Sequence, residues 1–137
     1  MDALHVLGVE RLALIGAPWF DPALNELGAA YFRSQGFELV SSRSAELSLD
    51  PARIEAGAVC DWAARNVADD ADAVFIGGNG FRAAAAIEGL EVALGRPVVT
   101  SNQVLLWNVL ARADVRCEID GYGRLFEHLS GRGTITQ

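Results

Sequence analysis

Short apolar runs alternate along the chain with longer stretches whose apolar residues recur every three or four positions. Four runs, RLALIG (11–16), FELVS (37–41), DAVFIG (72–77) and PVVTS (97–101), are rich in Val, Ile, Leu and Phe, as expected of strands covered on both faces. The stretches between them have helical spacing. Asp21-Pro22 and Asp50-Pro51 each set a capping carboxylate before a proline suited to the first helical position, and Gly36 and Gly95 fall where helices should stop. A helix at about 2–9 precedes the first strand, and two more, at about 102–113 and 122–130, follow the fourth. Strand-helix alternation joins parallel strands by right-handed crossovers. The expected fold is therefore α/β: a doubly wound four-stranded parallel sheet, order 2-1-3-4, in a flavodoxin-like single lobe spanning residues 1–137.

Composition narrows the classes of function. A chain of 137 residues, half of them apolar, suits one core. No apolar run approaches the roughly 18 residues of a membrane helix, and MDALH lacks the basic start of a signal peptide, so a cytoplasmic protein with no membrane partner is expected. Cys60 and Cys117 are too few for a disulfide scaffold, and with only His5 and His128 they give no metal-ligand spacing. A formal net charge of -7 speaks against nucleic acid, which is gripped through clustered Lys and Arg. A small anion remains compatible, because backbone N–H groups at a helix start can hold one locally.

In open parallel sheets ligands bind outside the carboxyl ends of the strands, where the strand order reverses. With order 2-1-3-4 that crevice lies between the first and third strands, and the two unusual loops GAPWFD (16–21) and GGNGF (77–81) meet there, with TSNQ (100–103) on the same edge. GNGFRA (78–83) matches G-x-G-x-x-A, so a dinucleotide-binding module is one reading; the motif follows the third strand rather than the first, and no acidic residue ends the next strand to take a ribose hydroxyl. The same glycines let backbone amides approach a carboxylate closely. A plain strand-to-helix turn, with Asn79 tolerating an unusual backbone angle, is the bland alternative.

At this loop the sequence resembles the aspartate/glutamate racemase superfamily, and most of all its maleate cis-trans isomerase and arylmalonate decarboxylase branch. The likeness is carried by LGVERLALIGAPWFDPALN (7–25), DADAVFIGGNGFRAAAAIEGLEVALGRPVVTSNQVLLW (70–107) and GYGRLF (121–126), in that order and spacing. The resemblance implies two facing α/β lobes, each offering a cysteine to a cleft that holds a small carboxylic acid, with no cofactor. The chain resembles the second, C-terminal lobe only, so it is expected either to be part of a longer protein or to pair with a first lobe or with a second copy of itself.

Carried over residue by residue, the resemblance puts Gly78 where the second-lobe cysteine stands, judged by its distance to Ile87, Leu94 and Pro97. No catalytic residue is then expected in this chain, since glycine supplies neither proton transfer nor a nucleophile. Asn79 and Gly80 would still offer amides to a carboxylate, and Phe81 and Arg82 match the residues after the cysteine. A tyrosine of the first loop falls at Trp19, or at Phe20 with a shift of one; neither carries the hydroxyl. The expected acid-binding set is Pro18, Trp19, Phe20, Gly78, Asn79, Gly80, Phe81, Arg82, Thr100 and Ser101.

Each member has a bland counterpart. Trp19 can simply pack. Arg82 can pair with a substrate carboxylate or sit solvated on a first helical turn. Thr100 and Ser101 can line the cleft or cap the following helix. Cys60 falls mid-helix, where a small buried thiol is the ordinary role, and Cys117 lies far along the chain from the crevice. Tyr122 and Arg124 read as anchors of the final helix. Two functions of different kinds emerge: a cofactor-independent isomerase, racemase or decarboxylase lobe, incomplete alone, and a noncatalytic carboxylate-binding or dimerising module.

Overall fold

The computed structural model describes residues 1–130. Four strands, β1 (Arg11–Gly16), β2 (Glu38–Ser44), β3 (Ala73–Ile76) and β4 (Val98–Thr100), form one sheet in the order β2-β1-β3-β4, with all three pairings parallel. The helices are α1 (Asp2–Val6), α2 (Pro22–Ser34), α3 (Ala56–Asn66), α4 (Ile87–Leu94), α5 (Ser101–Arg112) and α6 (Glu127–Ser130). Successive strand residues face opposite ways. Ala13, Ile15, Val74, Ile76 and Val98 pack against α3 and α4, whereas Leu12, Leu14, Ala73, Phe75 and Val99 pack against α1, α2, α5 and α6. This is the doubly wound sheet the apolar runs predict. None of the helices among the described residues is long and apolar enough to cross a membrane.

The boundaries move where long-range contacts override local signals. The polar SRS at 42–44 extends β2, because Ser42, Arg43 and Ser44 pair through their backbones with Leu14, Ile15 and Gly16. Asp50-Pro51 starts only one 3-10 turn, Pro51–Arg53: Asp50 Oδ1 accepts from Ala52 N, and the chain then extends at Ile54 to bury that side chain in the core. α3 begins three residues after Arg53. The first helix ends at Val6, and 122–126 is a loop and a 3-10 turn before α6.

Two carboxylates tie the elements together. Asp72 Oδ2 accepts the N–H of Arg11 at 2.8 Å and of Glu10 at 3.0 Å, joining the starts of β1 and β3. These bonds, Arg11's first and Glu10's second, hold its pKa below the usual carboxylate range. A carboxylate so held stabilises the fold above its unfolded pKa, about 3.9, and the contribution is lost as pH falls through the lower folded value. Asp72→Ala should therefore be less stable at pH 7 by no more than about 1 kcal/mol, the side chain being exposed. In urea melts the gap from the parent should close in acid, and a gap independent of pH would contradict this account.

The second carboxylate, Glu91 on α4, is 7% exposed. Its Oε1 accepts Val98 N–H at 3.0 Å, and the Arg124 N–H reaches Oε1 and Oε2 at 3.1 and 3.0 Å. Gln103 Nε2 donates to the Tyr122 carbonyl beside it. The segment 121–126 is thereby fastened to α4, β4 and α5. Gly123 makes the approach possible: its φ is +90°, and a Cβ there would stand 2.6 Å from Ile87 Cγ2 and 2.7 Å from Glu91 Oε1.

Candidate functional site

The carboxyl ends of β1 and β3 lie side by side, so the loops that follow them meet. After β1 the chain turns at Ala17, whose carbonyl accepts the Phe20 N–H at 2.9 Å, and enters α2 behind the Asp21 cap and Pro22. Asn25, in the first turns of α2 and 8% exposed, donates from Nδ2 to Ser44 Oγ at 2.6 Å, and Ser44 Oγ donates to the Phe20 carbonyl at 2.6 Å. Asn25 Oδ1 sits where a side chain at Gly16 would begin, 2.1 Å from an ideal Cβ. Phe20 is thus held from β2 and α2 together. Sequence reading missed this brace; the available signal was a buried-side asparagine within a helix, a residue that favours such positions only when its amide is engaged.

β3 leaves the sheet through Gly77, whose N–H reaches Ile15 O at 2.8 Å. Gly78 then takes φ +124° and Gly80 φ +78°, conformations that side-chain-bearing residues seldom adopt. A Cβ on Gly78 would lie 2.6 Å from Ala17 Cβ and 3.4 Å from Phe20 Cζ. The two loops are in contact at the point where the strand order reverses. Of the two candidate counterparts of a first-loop tyrosine, it is Phe20 whose ring tip meets Gly78. Trp19 instead packs edge-to-face on Phe81, with centroids 6.2 Å apart.

Gly78 N–H donates to Ser101 Oγ at 3.3 Å, Ser101 Oγ donates to Ile76 O at 3.4 Å, and Phe81 N–H closes back on Gly78 O. Among the described residues, the amides of Asn79 and Gly80 have no acceptor within the chain, and both residues are exposed. Successive unpaired amides flanked by left-handed glycines are donors available to an anion. Arg82 follows in an irregular segment; the helical turn expected for it starts only with the 3-10 turn Ala84–Ala86, and α4 at Ile87. Its exposed guanidinium is in no ion pair among the described residues. Pro18 is half-buried on the opposite loop.

Thr100 and Ser101 diverge. The Thr100 hydroxyl caps α5 by accepting Gln103 N–H at 3.2 Å, and Gln103 Oε1 accepts Thr100 N–H in return. Ser101 faces the glycine loop instead. Cys60 is half-buried in α3 with its thiol 3.6 Å from Ala86 O; burial first, and the Asp61 charge second, push its pKa up, away from thiolate chemistry. Cys117 packs on the α1/α2/α5 side of the sheet. Among the described residues no cluster of His, Cys, Asp and Glu could hold a metal ion. Beside the crevice, Ala84, Asn102, Leu106, Tyr122 and Phe126 line an apolar groove of about 240 Å³.

A model of the arylmalonate decarboxylase family matches residues 1–126. Arylmalonate decarboxylase of Bordetella bronchiseptica is 30% identical over 132 residues, which are 93% of this chain and 54% of that protein. Maleate isomerase of Pseudomonas putida is 29% identical over 128 residues, 91% of this chain and 50% of that protein. The structure of unliganded arylmalonate decarboxylase superposes with a TM-score of 0.83 at 30% identity, over 93% of this chain and 56% of that one. A variant of the maleate isomerase Iso from Pseudomonas putida S16, solved with maleate, gives 0.81 at 28% identity, over 95% and 51%. The chain spans about half the length of the curated relatives it matches.

Proposed function

The chain belongs to the arylmalonate decarboxylase family, and from that premise we propose that it is one acid-binding lobe of a cofactor-independent decarboxylase-like or isomerase-like enzyme. The observation that carries this reading is the glycine loop at the switch point. Asn79 and Gly80 present two unpaired amides, with the exposed Arg82 two residues further along, in a chain otherwise strongly acidic, and this set suits one small carboxylate. A relative solved with maleate is consistent with a small dicarboxylic acid as ligand.

Gly78 and Phe20, whose loops meet, provide neither thiol nor hydroxyl, and the Cys60 thiol lies against Ala86 with its pKa raised by burial, away from thiolate chemistry. Loss of carbon dioxide from a malonate-type acid leaves a carbanion that must gain one proton; isomerisation of a maleate-type acid needs addition to, and loss from, its double bond. In either case the donor or nucleophile would come from a facing lobe, acting on one face of the acid while this lobe orients the carboxylate. Exposed Trp19, Leu24, Leu49, Leu105 and Leu106 all lie on loops or early helical turns that follow strand carboxyl ends, the sheet edge that carries the crevice. Exposed apolar side chains on that edge suit a docked lobe.

The same exposed side chains favour a second reading, a noncatalytic module in which two copies of this chain face each other. Titrating maleate and phenylmalonate into the labelled protein should shift the Asn79 and Gly80 amide resonances at millimolar acid, with no conversion of either compound. Conversion by the chain alone would overturn the division of labour, and unmoved resonances would overturn the binding site. Light scattering on the same sample separates the readings: a dimer at tens of micromolar supports the self-paired module, a monomer the need for a different lobe.

A further inference from the structure

Thr100 and Ser101 are adjacent at the end of β4, yet their hydroxyls serve different elements. The capping role is complete with Thr100 and Gln103. A serine at the first helical position would ordinarily turn its hydroxyl to the first-turn amides or to water. Ser101 Oγ instead receives the Gly78 N–H at 3.3 Å and donates to the Ile76 carbonyl at 3.4 Å. It therefore grips the chain on both sides of Gly77, whose own N–H is held by Ile15 O at 2.8 Å.

These bonds act just before the backbone turns left-handed at Gly78. Once the peptide entering Gly78 is fixed, the direction of the next two N–H groups is set by the Gly78 and Asn79 dihedrals and by the Phe81-to-Gly78 bond behind them. If the bond to Ser101 were lost, the Gly78 peptide could rotate, because glycine takes positive and negative φ about equally readily. The Asn79 and Gly80 amides would then lose their common aim. Part of the donors' usefulness lies in being oriented before the ligand arrives.

We propose that Ser101 is the positioning residue of the glycine loop, acting on the acid through Gly78 rather than by touching it; this rests on the reading of that loop as a carboxylate site. Ser101→Ala keeps the α5 cap and is a good helix former, and Ser101→Thr keeps the hydroxyl. Without any acid, amide hydrogen exchange at Gly78 should be faster in the alanine variant, the Asn79 and Gly80 resonances should move, and the threonine variant should revert both. With maleate or phenylmalonate, the alanine variant should bind about three- to tenfold more weakly, the scale of one lost hydrogen bond, and threonine should recover most of it. Unchanged exchange and resonances at 78–80 in the alanine variant would overturn the proposal, as would altered resonances with undiminished affinity. A parent protein that binds neither acid would instead sink the carboxylate reading, visible before any variant is compared, and the proposal would fall with it.

Discussion

Glu91→Ala is expected to lower the unfolding free energy by about 2–4 kcal/mol, with the midpoint of urea denaturation falling accordingly. The size follows from what the carboxylate holds. Val98 and Arg124 each lose the acceptor of a backbone N–H, and leaving a buried donor unpaired costs about 1–3 kcal/mol apiece. The Arg124 side chain adds little, since its Nε is 3.9 Å away and the guanidinium is half-exposed. Glu91→Gln, which keeps one oxygen and the shape, should lose roughly half as much. If the alanine variant were within about 0.5 kcal/mol of the parent, the segment 121–126 could not depend on this carboxylate.

Gly78→Cys, which places a thiol where the family resemblance implies one, should destabilise the chain by about 2–3 kcal/mol and yield no activity. A φ of +124° costs a side-chain-bearing residue of order 1–3 kcal/mol, and the new Cβ would stand 2.6 Å from the Cβ of the wholly buried Ala17. Gly78→Ala should lose a similar amount, since the cause is the Cβ and not the sulfur. Removing the opposing methyl as well, in Ala17→Gly with Gly78→Cys, should recover the steric part but not the backbone part. Denaturation of the single and double variants gives that coupling directly, and a Gly78→Cys protein as stable as its parent would mean that the loop accommodates a thiol after all.

The sheet order was readable because β1, β3 and β4 are short continuous apolar runs, and such runs separated by helices admit few arrangements. The last residues of β2 were not, because Ser42, Arg43 and Ser44 join the sheet through backbone bonds on an edge and leave no apolar signature. Asp50-Pro51 misleads for a local reason: it is a genuine cap, but the burial of Ile54 pulls the chain out of helix after one turn. At the crevice, the convergence of the Trp19 and glycine loops follows from topology alone. Whether Trp19 or Phe20 meets Gly78 depends on where a turn closes, and that is settled by Ala17 and Phe20, the residues bonded across it. Glu91 reads as one more exposed charge in EGLEVAL, because its partners are 7 and 33 residues away.

Gly16, Asn25, Ser44 and the Phe20 carbonyl make one interdependent unit. The empty space on Gly16 has value only while the Asn25 amide fills it, and that amide has an outlet only while Ser44 relays it to the Phe20 carbonyl. A side-chain change at Gly16, Asn25 or Ser44 strands the other two, whereas Phe20 takes part only through its backbone carbonyl. The loop that carries Trp19 and Phe20 is in that sense more conservative in its backbone than in its chemistry: the ring at 20 is free to gain or lose a hydroxyl while the carbonyl behind it stays where it is.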